Sequence, residues 1–152
     1  MSKSIKLKND IYLDSTSVNK SAILVSLSQN ATITSNEGWS WLKIPFDKVI
    51  SKIGNDFSLV DGMVVCNKSN VRVKVTLHVY MVSAPSSAYP SVSIGNYYGQ
   101  YQEYAATGIV NALEIGTLNK NWNVRGFIRP SFTGEATIKG TYLYTYMLVE
   151  EL

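Results

Sequence analysis

The sequence predicts an all-β fold, an antiparallel sandwich or jelly roll of roughly eight to ten short strands. Three observations carry this. Over residues 71–81, Val71, Val73, Val75, Leu77, Val79 and Met81 alternate without a break against Arg72, Lys74, Thr76, His78 and Tyr80, the period of a strand with one face in a core. Turn residues punctuate the rest of the chain about every 8 to 12 residues. No long run of helical period occurs, which argues against an α/β fold. A strand as long as 71–81, apolar along one side, needs a second sheet to cover it.

Taken in order, the chain opens with Ile5, Leu7, Ile11 and Leu13 alternating with Lys6, Lys8 and Tyr12 around Asn9-Asp10, a natural turn pair. Residues 1–20 are therefore expected to form a strand-turn-strand attachment segment with a polar linker, ahead of a head domain over 21–152. Residues 22–27 and 31–34 read as strands that pair across Ser28-Gln29-Asn30. After the turn Asn36-Glu37-Gly38, Trp39 and Trp41 fall on one side of a strand. Over 44–53 the local pattern favours a short helix, because Phe46, Val49, Ile50 and Ile53 recur at helical spacing between Pro45 and Gly54. Asp61-Gly62 marks a two-residue hairpin. Beyond the loop Ala84-Pro85-Ser86-Ser87, strands are expected over 91–94, 102–106, 109–115, 122–129, 136–139 and 142–149.

Charged residues make up only 16% of the 152, against an average of about a quarter. Much of the surface must then be Ser, Thr, Asn and Tyr, or be hidden in an oligomer. Lys and Arg outnumber acids 10 to 6 up to Tyr80 and fall to 4 against 5 after it, for a net charge of +3. That is too slight and too dispersed for a nucleic-acid footprint, so no nucleic-acid partner is expected. Cys66 is the single cysteine, which excludes an intrachain disulfide; Met63-Val64-Val65 before it points to a buried, inert thiol. Lys3, Lys6 and Lys8 precede no apolar run of signal-peptide length, and no stretch approaches 18 apolar residues, so membrane insertion is not expected.

No catalytic constellation stands out. His78, the only histidine, lies on the polar side of its strand with no Ser, Cys or carboxylate that spacing places beside it. No catalytic residue, metal ligand or cofactor is therefore predicted. A glycosidase pair would have to be drawn from Asp47, Asp56, Asp61, Glu103, Glu114 and Glu135.

Residues 45–79 carry a more specific pattern: Pro45-Phe46-Asp47-Lys48-Val49-Ile50, then Asn55-Asp56-Phe57, Asp61-Gly62-Met63-Val64-Val65-Cys66 and His78-Val79. This run resembles the opening strands of the complement and tumour-necrosis-factor-like globular head. Gly108-Ile109-Val110-Asn111-Ala112-Leu113 is similar to that family's later core strand, and residues 142–148 to its closing aromatic strand. The resemblance implies a ten-strand jelly roll that assembles as a homotrimer, and it places 44–53 in a strand and loop. The central strand opens with Asn70-Val71-Arg72-Val73-Lys74 where the family has Gly-x-Tyr-x-Phe, and the family's Gly-Asp-x-Val segment is missing, so no ligand or metal site is carried over. The N-terminal piece resembles the joint of a bacteriophage fibre or related virion appendage. Together these resemblances imply a virion protein that attaches to a host-surface glycan or protein and meets other virion proteins through its N-terminal segment. A purely structural decoration or joint protein, or a fibre-borne depolymerase, is the alternative.

Candidate contact residues follow from composition. Tyr89, Tyr97, Tyr98, Tyr101 and Tyr104 crowd a Gly-, Ser- and Asn-rich stretch, and rigid amphipathic rings suit a receptor-contacting surface. Tyr97, Tyr98 and Tyr101 are the leading candidates there, with Trp122 between Asn121 and Asn123. Tyr142, Tyr144 and Tyr146 project from one face of the expected last strand and are assigned to a trimer interface. The alternative for each is ordinary packing within the domain.

Overall fold

The computed structural model describes the backbone of residues 4–6 and 12–14 and all of 20–99 and 107–152. These residues form strands, turns and loops, with no helix among them. In chain order the strands are β1 (Ser4–Lys6), β2 (Tyr12–Asp14), β3 (Ala22–Ser26), β4 (Ala31–Ser35), β5 (Leu42–Lys43), β6 (Lys48–Ile53), β7 (Phe57–Val60), β8 (Met63–Cys66), β9 (Val71–Ser83), β10 (Ala88–Ile94), β11 (Tyr97–Tyr98), β12 (Gly108–Leu118), β13 (Asn123–Pro130), β14 (Gly134–Ile138) and β15 (Tyr146–Glu151).

The N-terminal pair β1–β2 is antiparallel, with Ile5 opposite Leu13, as its alternation predicts. Asn9-Asp10, the linker at 15–19 and the strand expected over 102–106 lie outside the described residues. The remaining strands build two antiparallel sheets. One runs β6-β3-β15-β9, with β12 on the far edge of β9 and β14-β4 continuing from the C-terminal end of β9. The other runs β7-β8-β13-β10-β11, with β5 beside β13. The central strand is β9: β12 pairs with it from Val71 to Met81, and β15 covers 73–78 on its other side. Its inward residues, Val71, Val73, Val75, Leu77, Val79 and Met81, are buried against Phe46, Phe57, Val64, Val124 and Ile128 from the facing sheet side. This is the closure that an alternating strand of such length demands.

Several expectations are corrected. The 22–27 and 31–34 strands exist but do not pair with each other: β3 lies between β15 and β6, and β4 pairs with β14. Side chains pull the connecting turn elsewhere. The backbone N–H and hydroxyl of Ser28 donate to the Asp47 carboxylate, and Asn30 Oδ1 accepts from Gly140 N at 2.9 Å. The helix over 44–53 is absent; Ile44 and Phe46 are buried in the core from an extended loop and 48–53 is β6, as the family resemblance implied. The last strand begins at Tyr146, because Thr141 turns the chain with φ 70° and its carbonyl accepts from the N–H groups of Tyr144 and Thr145. Tyr142 and Tyr144 therefore sit in a turn. Trp39 and Trp41 likewise precede β5 instead of lying within a strand.

The Asp61-Gly62 hairpin forms as predicted, with φ of 48° and 76° at its two turn residues. Cys66 is buried on β8, and burial is the main cause that raises its thiol pKa above 9.0. Because the thiolate is the reactive form, iodoacetamide at pH 8 is expected to leave native protein unmodified and to label it in urea. Rapid labelling of native protein would place Cys66 outside the core. No helix of the described residues is long and apolar enough to cross a membrane.

Candidate binding surfaces

The outward face of the β9 sheet carries an aliphatic row among polar residues, with a Lys74–Glu150 ion pair at 3.2 Å toward one end. Register places Ile109 beside Tyr80, Asn111 beside His78 and Tyr146, Leu113 beside Thr76 and Leu148, and Ile115 beside Lys74 and Glu150. Ile109, Leu113 and Ile115 are 52%, 45% and 47% exposed. A sheet with one wet face would put polar residues there, so the aliphatic row is a candidate interaction site. His78 stacks on Tyr146 at 5.1 Å and its Nδ1 lies 2.6 Å from Asn111 Oδ1. Tyr144 meets Tyr80 edge-on, with Lys139 Nζ 3.8 Å from its ring centre. Of the three tyrosines assigned to an interface, Tyr144 and Tyr146 thus reach this face. Tyr142 is exposed in the preceding turn.

A second feature lies at one end of the sandwich. Ile94, Asn96, Tyr97, Ile115, Gly116, Thr117 and Trp122 line a cavity of about 370 Å³. It brings together two sequence candidates, Tyr97 and Trp122, which stand 25 positions apart. Trp122 is positioned by Asn121, which adopts φ 69° and donates its N–H to Cys66 O, while Trp122 O accepts from Cys66 N. Its indole lies against Gly95, where a Cβ would come within 2.5 Å of the ring. Ile115 belongs both to this cavity and to the apolar sheet face, so the cavity opens at the rim of that face.

The outer face of the second sheet carries a third feature. Along β13, Val124, Gly126 and Ile128 face the core, while Arg125, Phe127 and Arg129 lie on the other side, the arginines half-buried and Phe127 covered by the neighbouring rings. The Arg125 guanidinium sits 5.7 Å from the Tyr98 ring and 5.3 Å from Phe127, and Arg129 sits 5.6 Å from Trp39 and 5.1 Å from Trp41. Trp41 packs on Tyr98 at 4.8 Å and Trp39 stacks on Tyr89 at 5.5 Å. Trp39 has φ 70°, costly for a bulky residue by about 1–3 kcal/mol. Two bonds hold it there: its N–H donates to Pro130 O at 2.7 Å and its carbonyl accepts from Arg129 Nε at 2.6 Å. The consequence is an indole displayed at the surface, 48% exposed.

Of the receptor-contact candidates, the structure places Tyr98 in this cluster and Tyr97 with Trp122 in the cavity; Tyr101 lies outside the described residues. Sequence reading missed Trp39, Trp41, Arg125 and Arg129. The period-2 spacing of Arg125, Phe127 and Arg129 would have identified three of the residues on one strand face. Among the described residues, no group of three or more His, Cys, Asp or Glu is placed to hold a metal ion.

No family model matches the sequence, and no curated protein matches it. Solved structures do. The fold is similar to murine APRIL, with a TM-score of 0.65 at 8% identity over 88% of this chain and 99% of that one. It is similar also to PRD1 vertex protein P5, with a TM-score of 0.62 at 7% identity over 87% of this chain and 96% of that one. The chain has the tumour-necrosis-factor-like jelly-roll fold.

Proposed function

We propose that this protein is a homotrimeric virion protein, the head of a phage fibre or vertex appendage, that attaches the particle to a host surface through carbohydrate. The observation that carries the reading is the pair of exposed surfaces: aliphatic residues row the outward face of the β9 sheet, and exposed aromatic rings gather on the opposite sheet and in the cavity at its end. An apolar face of this kind suits contact with further copies of the same chain, and exposed rings suit stacking on flat sugar faces. Three copies would present each aromatic site three times, and avidity would offset weak single-site affinity. The shared fold with the vertex protein P5 of the phage PRD1 supports a virion location. The β1–β2 segment is assigned to contacts with other virion proteins, and the function requires no reaction, cofactor or nucleic acid.

Binding of the fluorescently labelled protein to host cells tests this. Trp122→Ala combined with Tyr97→Ala is expected to lower cell binding by about tenfold or more, as loss of an aromatic anchor does at a binding hot spot. Sedimentation of the variant controls for assembly, since the cavity meets the rim of the apolar face. A properly assembled wild-type protein that leaves every candidate host cell unlabelled would instead support an architectural role in the particle.

A further inference from the structure

The strands of the second sheet, β5, β7, β8, β10, β11 and β13, contain no Asp or Glu, and their only charged residues are Lys43, Arg125 and Arg129. The β9 sheet, by contrast, mixes both signs, with Lys48, Lys52, Arg72 and Lys74 set among Glu114, Glu135, Glu150 and Glu151. Charge is unevenly divided between the sheets, with the Glu114 carboxylate of β12 reaching Gly99 beside Tyr98, and the sheet whose own strands carry only cations is the one whose outer face carries the exposed rings.

Arg125 is the centre of that face. Its Nε donates to Ser93 Oγ at 3.2 Å and its Nη2 to Gly95 O at 3.3 Å, so its plane is fixed by neutral acceptors. Among the described residues, no carboxylate pairs with it. A guanidinium has five N–H donors in a rigid fork, and neutral acceptors leave its charge uncompensated. The same Gly95 is in contact with Trp122, and Tyr98 beside Arg125 packs on Trp41. The features therefore form one path across the surface, from Trp122 over Gly95 and Arg125 to Tyr98 and Trp41, and on through Arg129 to Trp39.

We infer that this path binds an anionic polysaccharide, with an acid group of the sugar chain on Arg125 and sugar rings stacked on Tyr98 and the flanking tryptophans. The inference deepens the attachment reading by naming the charge class of the glycan. Stacked rings provide contact area that any sugar face can use, and the fixed cation selects the chains that bear acid groups. From Gly95 to Trp39 the path lies on the sheet opposite the aliphatic face, and only Trp122 reaches the rim of that face, so trimer formation through it leaves the Arg125, Tyr98 and Trp39 part displayed in all three copies.

Calorimetry on the full chain at low salt is the test, with polygalacturonate supplying carboxylates, dextran sulfate supplying sulfates and neutral dextran as the uncharged chain. At least one polyanion is expected to bind, dextran is not, and Arg125→Gln is expected to weaken the polyanion about tenfold or more. Arg125→Lys, which keeps the charge but not the fork, is expected to fall between the two. Circular dichroism of both variants separates binding loss from unfolding. Equal binding of dextran and the polyanions would overturn the inference, as would unchanged binding by Arg125→Gln or tighter binding of an oligothymidylate than of either polyanion. Cell binding that persists in Arg125→Gln sinks this inference and leaves attachment standing. Arg125-dependent polyanion binding by a protein that labels no host cell does the reverse.

Discussion

Leu77→Ala is expected to cost about 3–5 kcal/mol of folding stability, toward the upper end for a Leu-to-Ala change in a core. Leu77 is fully buried at the middle of the central strand, and it faces Gly126 of the opposite sheet. A Cβ built on Gly126 would lie 3.0 Å from Leu77 Cδ1 and 3.1 Å from Phe46 Cε2. The leucine thus occupies the space that the glycine leaves open, one of the points where the two sheets pack tightly. Gly126→Ala alone should overpack the contact and cost about 1–3 kcal/mol. Combined, the two changes should cost less than their sum by about 1 kcal/mol, since the new methyl enters the volume the leucine vacated. Urea unfolding of the four proteins at one protein concentration measures this, fixed because assembly adds stability by mass action. Strict additivity would mean that the sheets do not interlock at this point.

That contact shows what sequence reveals and what it hides. The alternation of 71–81 announces Leu77 as a core residue, because a period of two on a pleated strand leaves no other register that buries Val71 to Met81 without burying Arg72 and Lys74. Nothing in the sequence says that its partner is Gly126. The Asp61-Gly62 hairpin was legible for a local reason: both turn residues adopt positive φ, which few residue pairs tolerate. Local signals failed where a distant group outbid them. Ser28-Gln29-Asn30 has turn composition, yet Asp47 and Gly140 capture it and send β4 to β14. The helical spacing of Phe46, Val49 and Ile50 lost to the burial of Ile44 and Phe46, which only an extended segment can point inward together. The family resemblance found that segment because it encodes tertiary context that periodicity lacks.

The candidate surfaces were half legible for the same reason. Trp122 and Tyr97 could be chosen on composition, while their meeting in one cavity depends on β12 and β13 closing beside β10. The alternation of Arg125, Phe127 and Arg129 stands in the sequence. The left-handed turn that lays Trp39 against Arg129 does not, since a positive φ at tryptophan has no compositional signal. Likewise, the reversal at Thr141 broke an apparently continuous run of alternating tyrosines, and only Tyr144 and Tyr146 of the three reach the sheet face.

Thr76→Arg should convert the proposed trimer to monomer. Thr76 lies at the middle of the aliphatic face, directly between Leu113 and Leu148 in the register of β12, β9 and β15. On a lone chain an arginine there is benign, because Arg72 and Lys74 already project from the same side of the strand. Between apposed faces it introduces an extra cation once per subunit beside Lys74, which already engages the neighbouring Glu150 carboxylate at 3.2 Å, and each such ion costs several kcal/mol to desolvate. Sedimentation at micromolar concentration should show the wild-type chain at three times 16.9 kDa and the variant at the mass of one chain, with unchanged far-UV circular dichroism. Thr76→Val, which makes the face more apolar, should remain trimeric. A variant that stays assembled would exclude this face from the interface, and a wild-type monomer would leave Ile109, Leu113 and Ile115 in water, with no reason for three copies.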